Sequence, residues 1–337
     1  MLNILIDMEQ DNTELKKLER LPNVHIDCVS PSTIRRELPP DLIHKTHILL
    51  CTVPPINISL MENLGFIQIS SSGYSQLFNL GLVERGVRAC NARGVFDAPI
   101  GEWCMAMMVN LARDLRGMIR NQDTGLWDRS ARFQKEIRGC RVGIWGYGSI
   151  GRETARLAKT MGMRTSVMVR KTPLAGLTNI YRLEGTGDPE GTLPDKIYVN
   201  GQEKEFLQDL DFLILSMPLT KNNEGCIGER ELNYLPKHAC ILNPARGLLI
   251  QEGPLLDALR SNRIAGAALD THYHNPMPPE HPLWSLPNVI MTPHISGSTM
   301  NPNYIRRVWE IFVKNVRNLS AGKPLLNELT SAQLNGE

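Results

Sequence analysis

The chain has 337 residues, more than one hydrophobic core usually supports, so two domains are expected. Hydrophobic residues make up 42% and charged residues 21%, and 37 Lys+Arg against 35 Asp+Glu leave a net charge of +2. This balance excludes a disordered chain and a field strong enough to gather nucleic acid. Met1 to Asp11 is a short apolar strand followed by acids, without the basic flank and small-residue cleavage site of a signal peptide. The most hydrophobic stretch, Trp103 to Leu111, lies between Glu102 and Arg113 and is too short to cross a bilayer. A cytoplasmic protein with no membrane partner is expected. The seven cysteines are scattered and never form a CxxC pair, which suits buried small hydrophobes in a reducing compartment rather than disulfides or a zinc site.

The N-terminal part alternates short apolar runs with helical patterns: Leu2 to Ile6, Val24 to Val29, His47 to Thr52, Phe66 to Ser70 and Val87 to Asn91. Strands separated by helix-length segments predict parallel pairing through crossover helices. A long helix follows from about Ala98 to Arg116, then a second helical stretch containing Trp127 to about Glu136. A second strand series begins at Arg141 to Trp145 and continues through Arg164 to Val169, Asp211 to Leu215, Ala239 to Leu242, Gly266 to Leu269 and Val289 to Met291. The polar stretch Thr172 to Lys204 is long for a connection in such a fold and reads as a hairpin or surface excursion. A final helix, roughly Asn303 to Leu319, has the length to return to the first domain. The expected class is α/β with two doubly wound parallel-sheet domains: 1–97 with 298–337, and 98–297.

The segment from Val142 to Gly151 is a strand running into Gly146-Tyr147-Gly148-Ser149-Ile150-Gly151, with a helical pattern from Arg152 to Met161 behind it. In a GxGxxG turn the first glycine permits the sharp bend, the second admits a pyrophosphate to the backbone, and the third lets helix and strand pack closely. Amides at the helix start then meet the anion. A carboxylate at the end of the next strand would accept the ribose hydroxyls of NAD(H), and none is present. Arg170, 24 residues after Gly146, is followed by Lys171 and Thr172, a cationic and hydroxylated corner suited to a 2′-phosphate. NADP(H) is therefore preferred, with NAD(H) possible; the other reading has Arg170 stacking on adenine or facing solvent.

Reduction of a 2-keto acid needs a cation for the carboxylate and carbonyl and a proton donor for the alkoxide. Arg246, in Asn243-Pro244-Ala245-Arg246-Gly247, and His294, in Thr292-Pro293-His294-Ile295-Ser296-Gly297, have those chemistries. Together with Pro218-Leu219-Thr220, Ala268-Leu269-Asp270 and the run Pro287 to Gly297, they make the chain resemble, over nearly its whole length, the D-isomer-specific 2-hydroxyacid dehydrogenase family, in particular its glyoxylate/hydroxypyruvate reductases.

The resemblance implies a Rossmann cofactor domain and a flavodoxin-like substrate domain, a D-specific reaction on a small 2-keto or 2-hydroxy acid, and a homodimer formed through the cofactor domains. It makes Arg246 the substrate anchor, His294 the general acid/base and Asp270 a contact of the nicotinamide carboxamide. Pro218, Ala245 and Gly297 join the cofactor-binding residues by the same resemblance. The loop Ser71-Ser72-Gly73-Tyr74 resembles the family's cradle for the substrate carboxylate, with the Ser72 and Gly73 amides as donors and Tyr74 in the substrate site. Where the family usually has a glutamate before a proline, this chain has Asn275 before Pro276; an amide can orient the histidine without the charge that raises its pKa. Relatives that oxidise formate also carry a neutral amide there, which keeps a substrate other than a keto acid as an alternative, and a corepressor-like nucleotide sensor is a second. His272, Tyr273 and His274 could supply a substitute acid or a polar wall, or merely pack; without a third ligand no metal is expected. The Trp103 to Leu111 face and Trp127 could form the dimer contact or be covered within one chain.

Overall fold

The computed structural model of the chain describes residues 1–170, 172, 174 and 178–336. Its described residues form two compact units, one of 1–96, 178–183 and 299–336, the other of 97–170, 172, 174 and 184–298.

In the first unit, β1 (Leu2–Asp7), α1 (Asn12–Glu19), β2 (Val24–Cys28), α2 (Pro40–Lys45), β3 (Ile48–Cys51), β4 (Phe66–Ile69) and β5 (Arg88–Cys90) build a sheet of order β2-β1-β3-β4-β5. Every pairing in it is parallel. β3 and β4 are buried along their whole length, as apolar runs covered on both faces should be.

In the second unit, α3 (Asp97–Ala112) and α4 (Leu115–Asp123) precede β6 (Arg141–Trp145), α5 (Ser149–Thr160), β7 (Arg164–Val169), β8 (Lys196–Val199), α6 (Glu203–Leu207), β9 (Phe212–Leu215), α7 (Glu229–Tyr234), β10 (Cys240–Asn243), α8 (Glu252–Arg260), β11 (Gly266–Leu269) and β12 (Val289–Met291). The sheet order is β12-β11-β10-β9-β6-β7-β8, again all parallel. Chain order reverses between β6 and β9, the position where open α/β sheets bind ligands at their carboxyl ends.

The chain ends in the first unit with α9 (Pro302–Ser320) and α10 (Ser331–Leu334). α9 buries Val308, Trp309, Ile311, Phe312 and Val316 completely, and Phe312 stacks on Phe66 of β4 at 6.5 Å.

Three local expectations are corrected. The helical stretch around Trp127 does not form: α4 stops at Asp123, Gly125 turns the chain at φ +67°, and beyond it only Ala131–Phe133 make a 3₁₀ turn. The long helix breaks at Ala112 because Asp114 adopts φ +45° and caps α4, its carboxylate accepting from the Gly117 amide. The excursion is not a hairpin; it contributes β8 as a parallel edge strand beside β7, with Lys159 and the Thr165 amide both held by Asp195 ahead of it. Residues 178–183 of the same excursion belong to the first unit. There Asn327 binds both the Asn179 carbonyl and the Tyr181 amide, and Gly94 at φ +95° leaves room for the Tyr181 carbonyl, which a Cβ would approach to 2.1 Å. Among the described residues no helix is long and apolar enough to cross a membrane.

Candidate functional site

The glycine turn follows β6 directly. Gly146 takes φ +96°, and a Cβ there would lie 2.8 Å from the Met217 amide nitrogen at the end of β9. A Cβ on Gly151 would come within 2.4 Å of the Gly146 carbonyl, so the first turn of α5 packs directly on the strand end. α5 starts at Gly148 with no side-chain cap, which leaves its amino end to be satisfied by something other than a side chain of its own. These features fit a dinucleotide pyrophosphate. Tyr147 is buried, while Ser149 and Ile150 are half-buried. Arg170 and Thr172 are exposed at the end of β7; Lys171 lies outside the described residues. Pro218, also exposed, sits in a turn closed by Asn223, whose amide donates to the Pro218 carbonyl and accepts from Thr220.

Further along the same sheet, three strand ends interlock. Asn243 closes β10, donating to the Arg246 carbonyl at 2.8 Å and accepting from the Ala245 amide at 3.1 Å, and so shapes the turn that presents Arg246. Gly247 is required there, since a Cβ would lie 2.5 Å from the His272 carbonyl. Asp270, fully buried after β11, holds the loop that carries His294. Its Oδ1 accepts from the Thr292 hydroxyl (2.6 Å) and the Ile295 amide (2.9 Å), and its Oδ2 from the Ser296 amide (3.0 Å) and hydroxyl. Trp103 of α3 extends the chain, its indole donating to the Thr292 hydroxyl at 3.2 Å. His294 itself has φ +57°, a conformation that a non-glycine residue keeps only where its surroundings enforce it, and Asp270 does so from both sides.

His272 completes this network. Its Nε2 lies 2.9 Å from the Thr292 carbonyl and must carry the proton, because a carbonyl only accepts. The same carbonyl takes the His294 amide at 3.0 Å. Nδ1 of His272 is buried and has no partner among the described residues. The sequence leaves His272 between a substitute acid, a polar wall and mere packing; in the structure it braces the His294 loop. Asn243, Thr292 and Ser296 lie within the sequence motifs but carry no role there, because motif spacing does not reveal which side chain supports which. Asn275 is exposed, and among the described residues no hydrogen bond joins it to His294. Tyr273 packs against the core of this unit, and His274 is exposed with its ring 6.3 Å from that of His281.

Electrostatics tie the two candidate catalytic groups together. Arg246 is half-buried, its Nη1 donates to the neighbouring Ala245 carbonyl at 2.6 Å, and no carboxylate pairs with it among the described residues. Desolvation lowers its pKa from the ordinary value, and a guanidinium remains charged regardless. Around His294, although the residue is exposed overall, desolvation pushes the pKa down, the Arg246 charge and His272 push it further, and Asp270 offsets part of the change. An unpaired cation beside a histidine that favours neutrality can hold an anionic substrate and exchange a proton with it.

In the first unit, the Ser70–Tyr74 loop follows β4. The Ser71 carbonyl accepts the Ala92 amide, the Ser72 carbonyl accepts the Asn91 side chain at 2.7 Å, and the Ser71 hydroxyl donates to the Gly73 carbonyl at 2.7 Å. The carbonyls are thus occupied, while the Ser72 and Gly73 amides donate to nothing among the described residues. Tyr74 turns inward, 8% exposed and edge-on to Phe78, so its ring belongs to the core of this unit.

A glycine turn at the switch point of a parallel sheet, with an arginine after β10 and a histidine after β12, is an arrangement suited to a nicotinamide-dependent oxidoreductase. Residues 105–296 match the profile described as D-isomer specific 2-hydroxyacid dehydrogenase, NAD binding domain. A glyoxylate reductase of Thermofilum pendens is 26% identical over 289 residues, 84% of this chain and 80% of that protein. The structure of a D-isomer specific 2-hydroxyacid dehydrogenase family protein from Aeromonas salmonicida superposes with a TM-score of 0.79 at 26% identity, covering 98% of this chain and 99% of that one. An NADPH-dependent glyoxylate/hydroxypyruvate reductase from Sinorhizobium meliloti, at 20% identity, shares the fold with a TM-score of 0.77 over 98% of this chain and 99% of that one. The chain belongs to the D-isomer specific 2-hydroxyacid dehydrogenase family, whose members are NAD(P)-dependent oxidoreductases.

Proposed function

We propose that this protein is an NADPH-preferring reductase that converts small 2-keto acids to D-2-hydroxy acids. One observation carries the reading: Arg246, half-buried and without a carboxylate partner among the described residues, stands in the turn after β10, and its charge together with desolvation lowers the His294 pKa. Nε and Nη2 of Arg246 are available for the carboxylate and carbonyl oxygens of a keto acid, and the Ser72 and Gly73 amides suit a carboxylate. Hydride for the carbonyl carbon is what the nicotinamide supplies when bound. Protonated His294 delivers a proton to the oxygen as negative charge develops there, and Arg246 stabilises that charge. Asp270, which we also assign to the nicotinamide carboxamide, keeps the His294 loop in place throughout.

The preference for NADPH rests on Arg170 and Thr172, exposed at the end of β7, where the sequence carries no carboxylate, and is supported by the NADP bound in the Sinorhizobium relative. We assign the described residues 1–96, 178–183 and 299–336 to substrate binding and 97–170, 172, 174 and 184–298 to the dinucleotide. A homodimer is supported by α4, which buries none of its residues and leaves Leu115 and Ile119 exposed, with Leu126 and Trp127 (88% exposed) after it. Sedimentation should give twice the mass of 37.8 kDa. Seven free thiols accord with a cytoplasmic location.

The test is NADPH and NADH oxidation in parallel with glyoxylate, hydroxypyruvate, pyruvate and bulkier 2-keto acids. Turnover faster with NADPH supports the proposal. Because Asn275 supplies no charge to His294, formate with NADP⁺ belongs in the same panel, and reduction of NADP⁺ by formate alone would replace the keto-acid reading. Tight NADPH binding with no turnover at all would mark a sensor.

A further inference from the structure

The excursion after β7 has no role in the chemistry above, yet part of it closes on the glycine turn. Asp188, 4% exposed, receives the Tyr147 hydroxyl on Oδ2 at 2.6 Å. The same carboxylate organises its own turn, accepting the Thr192 amide on Oδ1 and the Leu193 amide on Oδ2, each at 3.1 Å. Arg152, 3% exposed in the first turns of α5, donates from Nη1 to the Asp188 carbonyl and lies 5.1 Å from the Tyr147 ring centroid. The next residue, Glu153, is 2% exposed and accepts the Gly187 amide at 2.6 Å while pairing with Arg156.

Four side chains of the cofactor turn and its helix, Tyr147, Arg152, Glu153 and Arg156, are thus tied directly or at one remove to residues 187–193. Burying these charges is costly unless each is paired or hydrogen-bonded: Glu153 pairs with Arg156 within α5, while hydrogen bonds between the two segments help to satisfy Arg152, Glu153 and Asp188. Burial and the Asp188 carboxylate both raise the Tyr147 pKa, so the phenol stays a donor at any physiological pH. Gly146 and Gly151 are also packed against Met217 and Ser216. The turn is thus held by the residues that follow β9 as well as by the excursion.

We infer that Asp188 is a positioning residue for the dinucleotide: by fixing Tyr147 it holds the Gly146–Gly148 backbone in the shape that receives the pyrophosphate. This rests on the assignment of the turn to a nicotinamide cofactor and deepens it. The pyrophosphate is common to NADPH and NADH, so the latch serves both equally, unlike Arg170 at the ribose corner.

The inference is tested by titrating the full-length wild type, Asp188→Ala, Asp188→Asn and Tyr147→Phe with NADPH and with NADH, followed by cofactor fluorescence, alongside steady-state kinetics. Removal of one hydrogen bond to a charged group corresponds to about tenfold. Asp188→Ala should weaken both dinucleotides by about that factor and raise the dinucleotide KM in parallel, while the keto-acid KM stays within about twofold. Asp188→Asn, which keeps an acceptor for the phenol, should recover most of the loss. Tyr147→Phe removes one hydroxyl, keeps the ring and is the variant that remains informative if Asp188→Ala does not fold; it should weaken both dinucleotides, and should add little to Asp188→Ala because the two act through one contact. Unchanged dinucleotide affinity in Tyr147→Phe, or a loss for NADPH alone, overturns the inference. Absence of dinucleotide binding by the wild type instead removes the assignment on which it stands.

Discussion

Two regions at the carboxyl ends of one sheet are built very differently. Around β10 to β12, Asn243, Asp270, His272 and Thr292 brace the Arg246 and His294 turns through side-chain and backbone hydrogen bonds, with Asp270 fully buried. At the end of β7, Arg170 and Thr172 stand exposed. The difference teaches where precision is needed. In the proposed reaction a proton and a developing charge must be met within a fraction of an ångström, which suits the braced corner, whereas an exposed cation such as Arg170 suffices to meet a phosphate.

The largest expected effect breaks the rigid corner at its reacting groups. Arg246→Ala and His294→Asn should each lower kcat/KM for keto-acid reduction by roughly 10²–10⁴-fold with the fold intact, as circular dichroism and steady-state rates would show. Next, Asp270→Ala strips the acceptor from two amides and two hydroxyls. It should cost about 3 kcal/mol in denaturant unfolding and lower turnover as well, because His294 loses the frame for its left-handed backbone. If stability fell while turnover held, the bracing would be unrelated to chemistry. At the exposed corner, Arg170→Ala should leave unfolding within about 0.5 kcal/mol and reduce the NADPH-over-NADH ratio in kcat/KM by about tenfold. An unchanged ratio would transfer cofactor choice elsewhere.

The smallest effect sharpens the comparison through pH. With the pKa of His294 lowered from its ordinary value of 6.5, the protonated form that donates in reduction is lost as pH rises through a value below 6.5, so kcat/KM for reduction should fall across that range. Oxidation, which needs the neutral ring, should rise over the same interval. Asn275→Glu should move both profiles upward by about one pH unit if its carboxylate reaches the imidazole. A profile that does not move would mean that position 275 is too far from the ring to act on it.

Much of this could be read along the chain. The strand runs fall within a residue or two of those observed, because central strands of covered parallel sheets are continuous apolar stretches. Gly146, Gly148 and Gly151 declare a turn whose geometry only that spacing permits. Less legible were Tyr74, whose phenol could as well have lined a pocket as filled a core, and His272, whose tautomer is set by a carbonyl 20 residues away. The stretch around Trp127 reads as helical in the sequence, but Asp114 and Gly125 in positive-φ conformations set the helix boundaries instead.

By itself the sequence determined the α/β class, the glycine turn and the identity of the arginine and histidine, since each depends on residue type and spacing over a few positions. Tertiary structure alone decided that Asp270 frames the histidine loop and that the excursion splits between an edge strand, a strap on the first unit and a latch on Tyr147. Those outcomes rest on pairings between residues tens to hundreds of positions apart, such as Tyr147 with Asp188 and Tyr181 with Glu310, which no local pattern encodes.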